Sequence, residues 1–447
     1  MVLTLAVVSC KKEEVLDVDL NKLNIDQPVA NTPLDAWLTK TFVDEYNIDV
    51  IYRYNRFYHG DDRDVAAVKV DKVEPQMQTV LEGFLLPYRK VAGVEFIKKY
   101  SPKQFVLFGS GSFNPDGSYV LATAAAGRNI TIYDLNNFDL NDSGTIVGKL
   151  RTIHHEFTHI LNKIVPMPVD FQLITKSSYL ATWTTKSVAS ARADGYVTPY
   201  ASSQPGEDFA ETTTSLLVMG QAWYDAWANG STVAGKAALK AKEASIVQYF
   251  NNNLGIDFRT LQREIQEVVR KTYKYQPASF RYWMGQNLYK TITINMASDP
   301  VYAAAAVSPQ FKQVYDNVAA GIKALPYGLT FNFMTLNFTA ADKMYIEINF
   351  SQGTGTFLAR YPFNVALNTT TGETKFTTGI AGGTDASWVG NPNLIKPGVQ
   401  PVLNYLLNNT FVADWLPANI NPDNYNKYGG FYVSGAPSNN FYGLLGQ

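Results

Sequence analysis

Three of the chain's four histidines, His154, His155 and His159, fall within six residues, in Ile153-His154-His155-Glu156-Phe157-Thr158-His159-Ile160. This is H-E-x-x-H, a spacing that can build a hydrolytic zinc site. Residues four apart on a helix lie about 40° apart round the axis and about 6 Å along it. His155 and His159 can therefore turn their imidazoles to one ion. Glu156, one step round, falls beside the open coordination position, where a carboxylate can take a proton from zinc-activated water. The bland alternative is a helix that happens to carry two histidines. The flanks argue for a real amphipathic helix. Asp142-Ser143 offers N-caps, and Ile146, Val147, Leu150, Ile153, Phe157, Ile160, Leu161 and Ile164 recur at helical spacing up to Pro166.

A catalytic zinc normally has three protein ligands and one open position. Asn162 and Val165 give no third histidine downstream, and His59 reads as a turn residue far upstream. The third ligand is then expected to be a carboxylate on a second helix. In Tyr200-Ala201-Ser202-Ser203-Gln204-Pro205-Gly206-Glu207-Asp208-Phe209-Ala210-Glu211, Pro205-Gly206 marks a turn and acids open the helix that follows, as its dipole favours. Glu207 and Glu211 share one side of that helix. One can bind the metal while the other accepts the second N–H of a ligand imidazole; as plain sequence, both also fit a solvated first turn.

H-E-x-x-H followed about fifty positions later by Y-x(6)-E-x-F-A-E resembles the catalytic domain of anthrax lethal factor and the wider lethal-factor-like gluzincin metallopeptidases. The resemblance implies zinc held by His155, His159 and Glu207, with Glu156 as general base. It also implies a Tyr200 that stabilises the developing oxyanion or leaving group, with Glu211 in support. Gly195-Tyr196-Val197-Thr198-Pro199-Tyr200-Ala201-Ser202, Glu207-Asp208-Phe209-Ala210-Glu211 and Leu254-Gly255-Ile256-Asp257-Phe258-Arg259-Thr260-Leu261-Gln262 are similar to a group of Bacteroidetes lipoproteins. These are described as zinc-binding metallopeptidases or substrate-import-associated zinc metallohydrolases. That resemblance implies service to an outer-membrane nutrient-import receptor.

Met1 to Ser9 is an apolar run ending at Cys10, the chain's sole cysteine. It reads as a shortened lipoprotein signal segment, with Cys10 as the acylated residue and a longer leader expected upstream. Lys11-Lys12-Glu13-Glu14 resembles a surface-export signal. The expected location is therefore the bacterial outer membrane, lipid-anchored, with periplasmic and surface-exposed orientations both open. One cysteine excludes an internal disulfide. A net charge of −1 with interspersed signs argues against a nucleic-acid partner. The 27 Tyr and 25 Phe suit β-rich structure as well as sugar platforms.

The organisation expected is a signal segment at 1–10, a tether at 11–30, an α/β zincin-like metallopeptidase domain at 31–277 and a β-rich α+β C-terminal domain at 278–447. In the first domain a small mixed sheet leads into the H-E-x-x-H helix. Ile130 to Tyr133 is the expected edge strand for an extended peptide. In the second, strand-like runs appear at Thr291–Asn295, Leu329–Phe338, Met344–Phe350, Phe357–Ala366 and Phe431–Ser434, with a helix near 399–408. The function expected is hydrolysis of peptide bonds in a peptide or protein substrate with one Zn²⁺. The rival is a non-enzymatic surface lipoprotein whose C-terminal part captures glycan or peptide for an import receptor.

Overall fold

The computed structural model describes residues 31–60, 62–113, 119–120, 122–125, 129–417, 424 and 426–447. Cys10 and the tether through residue 30 lie outside them. No helix among the described residues is long and apolar enough to cross a membrane.

The first helix, Pro33–Leu38, starts on a capping box: the Thr32 hydroxyl accepts from Asp35 N–H, and the Asp35 carboxylate takes the Thr32 N–H. Two helical stretches follow: Val70–Val80 continued by a π-helical turn Leu81–Leu85 and Leu86–Ala92, and then Val94–Tyr100. They part at Gly93, whose φ of +87° only glycine adopts without strain.

The strands β1 (Asp49–Ile51), β2 (Gln104–Leu107), β5 (Ala122–Ala125) and β6 (Asn129–Ile132) form one sheet in the order β1-β2-β6-β5. A two-stranded ribbon, β3 (Ser112–Phe113) with β4 (Tyr119–Val120), stands beside it. β1, β2 and β6 run parallel, and β5 is antiparallel to β6. This corrects the expected edge. The strand at 129–132 is interior, paired on both sides, and β5 holds the edge. Parallel neighbours need long crossovers, whereas β5 reaches the edge through a short connection back from β6. The apolar alternation of β6 therefore reports burial, not an edge position.

The motif helix, Ser143–Ile164, follows this sheet. Asp142 caps it by accepting the Gly144 N–H at 2.9 Å. Of the apolar positions read from the sequence all are buried except Ile164, which lies in the last turn. Gly83 lets the π-helical turn press against this helix, since a Cβ there would meet Leu150 at 2.4 Å. The Gly83 carbonyl then takes the N–H of His154 at 3.1 Å.

Beyond residue 278 the chain builds a closed barrel. The strands β7 (Thr291–Ile294), β8 (Leu329–Ala340), β9 (Lys343–Gln352), β10 (Gly355–Leu367), β11 (Glu373–Thr378), β12 (Thr410–Asp414), β13 (Tyr428–Val433) and β14 (Ala436–Gly446) pair antiparallel in sequence order. β14 closes on β7 with Leu444 opposite Thr293. Helices Pro309–Lys323 and Gly390–Asn408 are inserted after β7 and β11. They cross at Gly321 and Gly398, where a Cβ on either residue would lie within 3 Å of the other's backbone. The apolar interior divides into one cluster from Leu38 to Ala278, a second that gathers the barrel and its two helices, and a small third of Val65, Val106, Phe108 and Tyr133.

Candidate metal centre

Two helices bring the site together. The motif helix carries His155 and His159. The acidic helix, Pro205–Thr214, opens with Glu207 in its first turn, after a 3₁₀ turn Tyr200–Ser203. Thr214 ties the two helices by donating to the Arg151 carbonyl at 2.8 Å. The acidic helix runs on into a π-helical turn, Ser215–Met219. Its carbonyls at Leu216, Leu217 and Val218 accept from the buried amides of Gln262 and Gln266 at 2.7–2.9 Å. The segment Asp257 to Gln262 thus holds the acidic helix from behind, with Asp257 as a cap and Phe258 and Leu261 in the core.

Three ligand atoms converge. His155 Nε2 lies 3.0 Å from Glu207 Oε2, His159 Nε2 lies 3.2 Å from the same oxygen, and the two imidazole nitrogens are 3.0 Å apart. Among the described residues this is the group of His, Cys, Asp and Glu side chains arranged to hold an ion. On the other side of His155, Nδ1 is 2.8 Å from Glu211 Oε1. That contact is an ion-pair distance whose angle falls outside hydrogen-bond geometry. Glu211 also faces Arg151 Nη2 at 3.6 Å and accepts from the Thr198 hydroxyl at 3.0 Å. The Gln204 amide donates to the free Oε1 of Glu207 at 3.2 Å.

Glu156 is nine-tenths buried, and its charge acts on both the His155 imidazole and the Tyr200 phenol. The Tyr200 ring faces the His155 ring at 6.1 Å, inclined by 27°. Burial, with the charge of Glu207 beside it, holds the Tyr200 phenol well above its ordinary pKa. Every sequence-derived site residue among the described ones is therefore gathered at one place. His59 is not among them; its Nε2 lies 3.0 Å from the Tyr54 hydroxyl. His154 is a core residue. It is fully buried, edge-on to Phe84 at 5.4 Å, and burial pushes it down to about 4, so it stays neutral.

A family model described as "Putative zinc-binding metallo-peptidase" matches residues 27–259. The chain belongs to this family. The matched span contains His155, Glu156, His159, Tyr200, Glu207 and Glu211, and it ends before the barrel begins. Among solved structures, the chain is similar to "a putative zinc-binding metallo-peptidase from Bacteroides caccae", with 27% identity and a TM-score of 0.47, over 55% of this chain and 94% of that one. No curated protein matches the chain.

The residues fit the metal that the metallo-peptidase family's description names. With ligands about 2.0–2.1 Å from a tetrahedral zinc, ligand atoms lie about 3.3 Å apart; the observed separations come within a few tenths of an ångström of that. The charge argument agrees. Burial alone would lower the His155 pKa, yet Glu207 and Glu211 on either side prevail and push it up to about 10. Burial would raise both carboxylates, yet Glu207 is held below its ordinary range by His155 and His159, and Glu211 by His155 with Arg151 and Thr198. Such a cluster is balanced by a cation.

Sequence reasoning does not reveal Lys242. It sits fully buried on the helix Val233–Gln248, 2.7 Å from the equally buried Asp208, with its ammonium donating to the Gly195 carbonyl at 2.8 Å and lying 4.0 Å from the centre of the Tyr196 ring. Asp208 also accepts from the Tyr179 hydroxyl at 2.9 Å. Burial pushes Asp208 up and Lys242 down, against their mutual attraction. A lysine in an alanine-rich helix reads as solvated, and no local pattern marks this one.

A separate cleft of about 1010 Å³ lies between the helix Phe258–Lys271 and the barrel. Its Arg270 is engaged by Asp414 at 2.8 Å and by Glu267 at 3.1 Å.

Proposed function

We propose that this chain is a zinc-dependent peptidase of zincin-like fold whose active site is the His155–His159–Glu207 cluster with Glu156 as general base. The convergence of two imidazole nitrogens and one carboxylate oxygen, beside a buried glutamate outside the ligand set, is the observation that carries this reading. When bound, the metal supplies a Lewis acid that polarises a carbonyl and acidifies water. Glu156 takes the proton of the attacking water and delivers it to the leaving amine. The Tyr200 hydroxyl, protonated at neutral pH, donates to the oxygen on which negative charge develops. Glu211 and Thr198 hold the His155 ring so that Nε2, not Nδ1, faces the site.

The test is digestion of an unbiased peptide library, read by mass spectrometry, with Glu156→Gln as control. Cleavage by the wild type that the variant loses by about 10²-fold or more, while zinc content stays the same, supports the reading. A zinc-loaded protein that cleaves no peptide, or a variant that cleaves normally, overturns it.

We further propose the division into a peptidase domain at 31–277 and a C-terminal domain at 278–447, acylation at Cys10, and attachment to the bacterial outer membrane in the service of nutrient import. The lone cysteine after an apolar run supports the anchor. Labelling with an alkyne fatty acid, lost in Cys10→Ser, tests it.

A further inference from the structure

Between the motif helix and the acidic helix the chain makes an excursion that leaves apolar side chains at the surface beside the ligand cluster. The 3₁₀ turn Trp183–Thr185 places the Trp183 indole edge-on to the Tyr200 ring, at 5.0 Å and 67°. Tyr200 is itself the ring that faces His155. Trp183 is only half-buried, Tyr200 is 37% exposed, and Leu180, three residues earlier, is 40% exposed. The Tyr200 ring thus stands against His155 on one contact and against Trp183 on another, so an apolar aromatic surface adjoins the ligand cluster.

The wall is fixed in position. The Leu180 N–H donates to the Ser202 carbonyl at 2.8 Å, which pins the excursion to the turn that carries Tyr200. The Lys186 N–H closes the Trp183 turn on the Trp183 carbonyl at 2.9 Å, and its ammonium reaches Asp194 at 2.8 Å. An apolar surface left in water is unfavourable in proportion to its area. A rigid one beside a reactive centre recovers that free energy when a ligand covers it, with little ordering cost.

We infer that Trp183 forms a wall of a substrate pocket that selects peptides carrying a large apolar side chain next to the scissile bond. The inference rests on the metal-site reading above and adds the class of substrate. Trp183 acts by contact with the substrate side chain, not through the metal.

The experiment measures binding by calorimetry, so that it is independent of turnover. Zinc-loaded protein, as wild type, Trp183→Ala and Trp183→Phe, is titrated with glycine, leucine and phenylalanine hydroxamates, whose common headgroup seeks the metal. In the wild type the leucine and phenylalanine compounds should bind at least about tenfold tighter than the glycine compound, the scale of discrimination by an apolar pocket. Trp183→Ala should collapse that ratio towards one, and Trp183→Phe should keep most of it. A ratio near one in the wild type, or a ratio that Trp183→Ala leaves intact, overturns the inference while the metal site stands. If no hydroxamate binds, the metal-site reading fails and the inference fails with it. A uniform loss across all three compounds in Trp183→Ala shows that the indole only props Tyr200, and this too overturns the inference.

Discussion

The Thr198 hydroxyl donates to Glu211 Oε2 at 3.0 Å and accepts the Ala201 N–H at 3.0 Å. One side chain thus links the carboxylate beside His155 to the turn that presents Tyr200. Thr198→Val should disturb both at once. We expect Tyr200→Phe to lower kcat about 10²–10³-fold, the usual scale for one oxyanion donor, with zinc content unchanged. Thr198→Val should lower kcat less, and should lower zinc affinity as well. Steady-state kinetics with metal analysis on both variants checks the order. An unaffected rate in Tyr200→Phe would remove Tyr200 from the chemistry.

Glu207 and Glu211 sit one helical turn apart but differ in what they touch. Glu207 Oε2 contacts both imidazoles at the Nε2 side, while Glu211 meets His155 at Nδ1. Glu207→Ala should leave the protein nearly metal-free after dialysis. Glu211→Ala should bind zinc about 10–100-fold more weakly, the typical loss for an outer partner of a ligand histidine. The reverse order, measured by competition with a chromophoric chelator, would exchange their roles.

Metal uptake should also release protons. Without metal, the two flanking carboxylates keep His155 protonated well above neutral pH. A metal can bind its Nε2 only after that proton leaves. The sign follows: zinc affinity should rise with pH through the neutral range, by up to about tenfold per unit, and level off near the raised pKa. Calorimetry at pH 7 in buffers of different ionisation enthalpy should count about one proton released per zinc. A count of zero would place His155 in its neutral form without metal.

The Asp208–Lys242 pair is fully buried, and Asp208 is the next residue after Glu207 on the acidic helix. Lys242→Met strands the Asp208 charge in the interior and should cost about 3–5 kcal/mol, whereas Asp208→Asn with Lys242→Met should recover much of that. Urea unfolding of the three proteins decides it. If the double variant is no more stable than Lys242→Met, the loss comes from packing around the lysine stem and not from the unpaired charge.

In the C-terminal half, Gly321 and Gly398 meet backbone to backbone. Gly398→Val should force the two helices apart and destabilise that half by about 1–3 kcal/mol, as overpacking typically does. Thermal unfolding should show the loss, and zinc content at room temperature should not change.

Much of the site is legible in the amino-acid sequence, and for local reasons. His155, Glu156 and His159 share one helix at a spacing that marks them, Glu207 and Glu211 share the helix that Pro205-Gly206 opens, and Tyr200 is singled out by the family resemblance. The helix Ser143–Ile164 is readable because one face is continuously apolar. The barrel is readable only in part. Strands β8, β9 and β10 alternate plainly, and the runs at 291 and 431 mark β7 and β13, but β11, β12 and β14 carry no such mark. β14, Ala436 to Gly446, is rich in Asn, Ser and Gly, and its strand character comes from pairing with β13 and with β7, some 150 residues away. The helix Pro309–Lys323 has a visible Ser308-Pro309 start and apolar Phe311, Tyr315, Val318 and Ile322, yet the surrounding strand-like runs mask it. Lys242 cannot be found from sequence at all, because its partner is brought to it by tertiary packing.

Barrel closure has one more consequence. An extended polypeptide recruits strands through the unpaired backbone N–H and C=O groups that an edge strand presents. Each of the eight strands after residue 290 has a neighbour on both sides, so the barrel presents no edge strand. Among the described residues β5, in the part of the molecule that carries the candidate metal centre, has a strand neighbour on one side only and can take such a chain on the other.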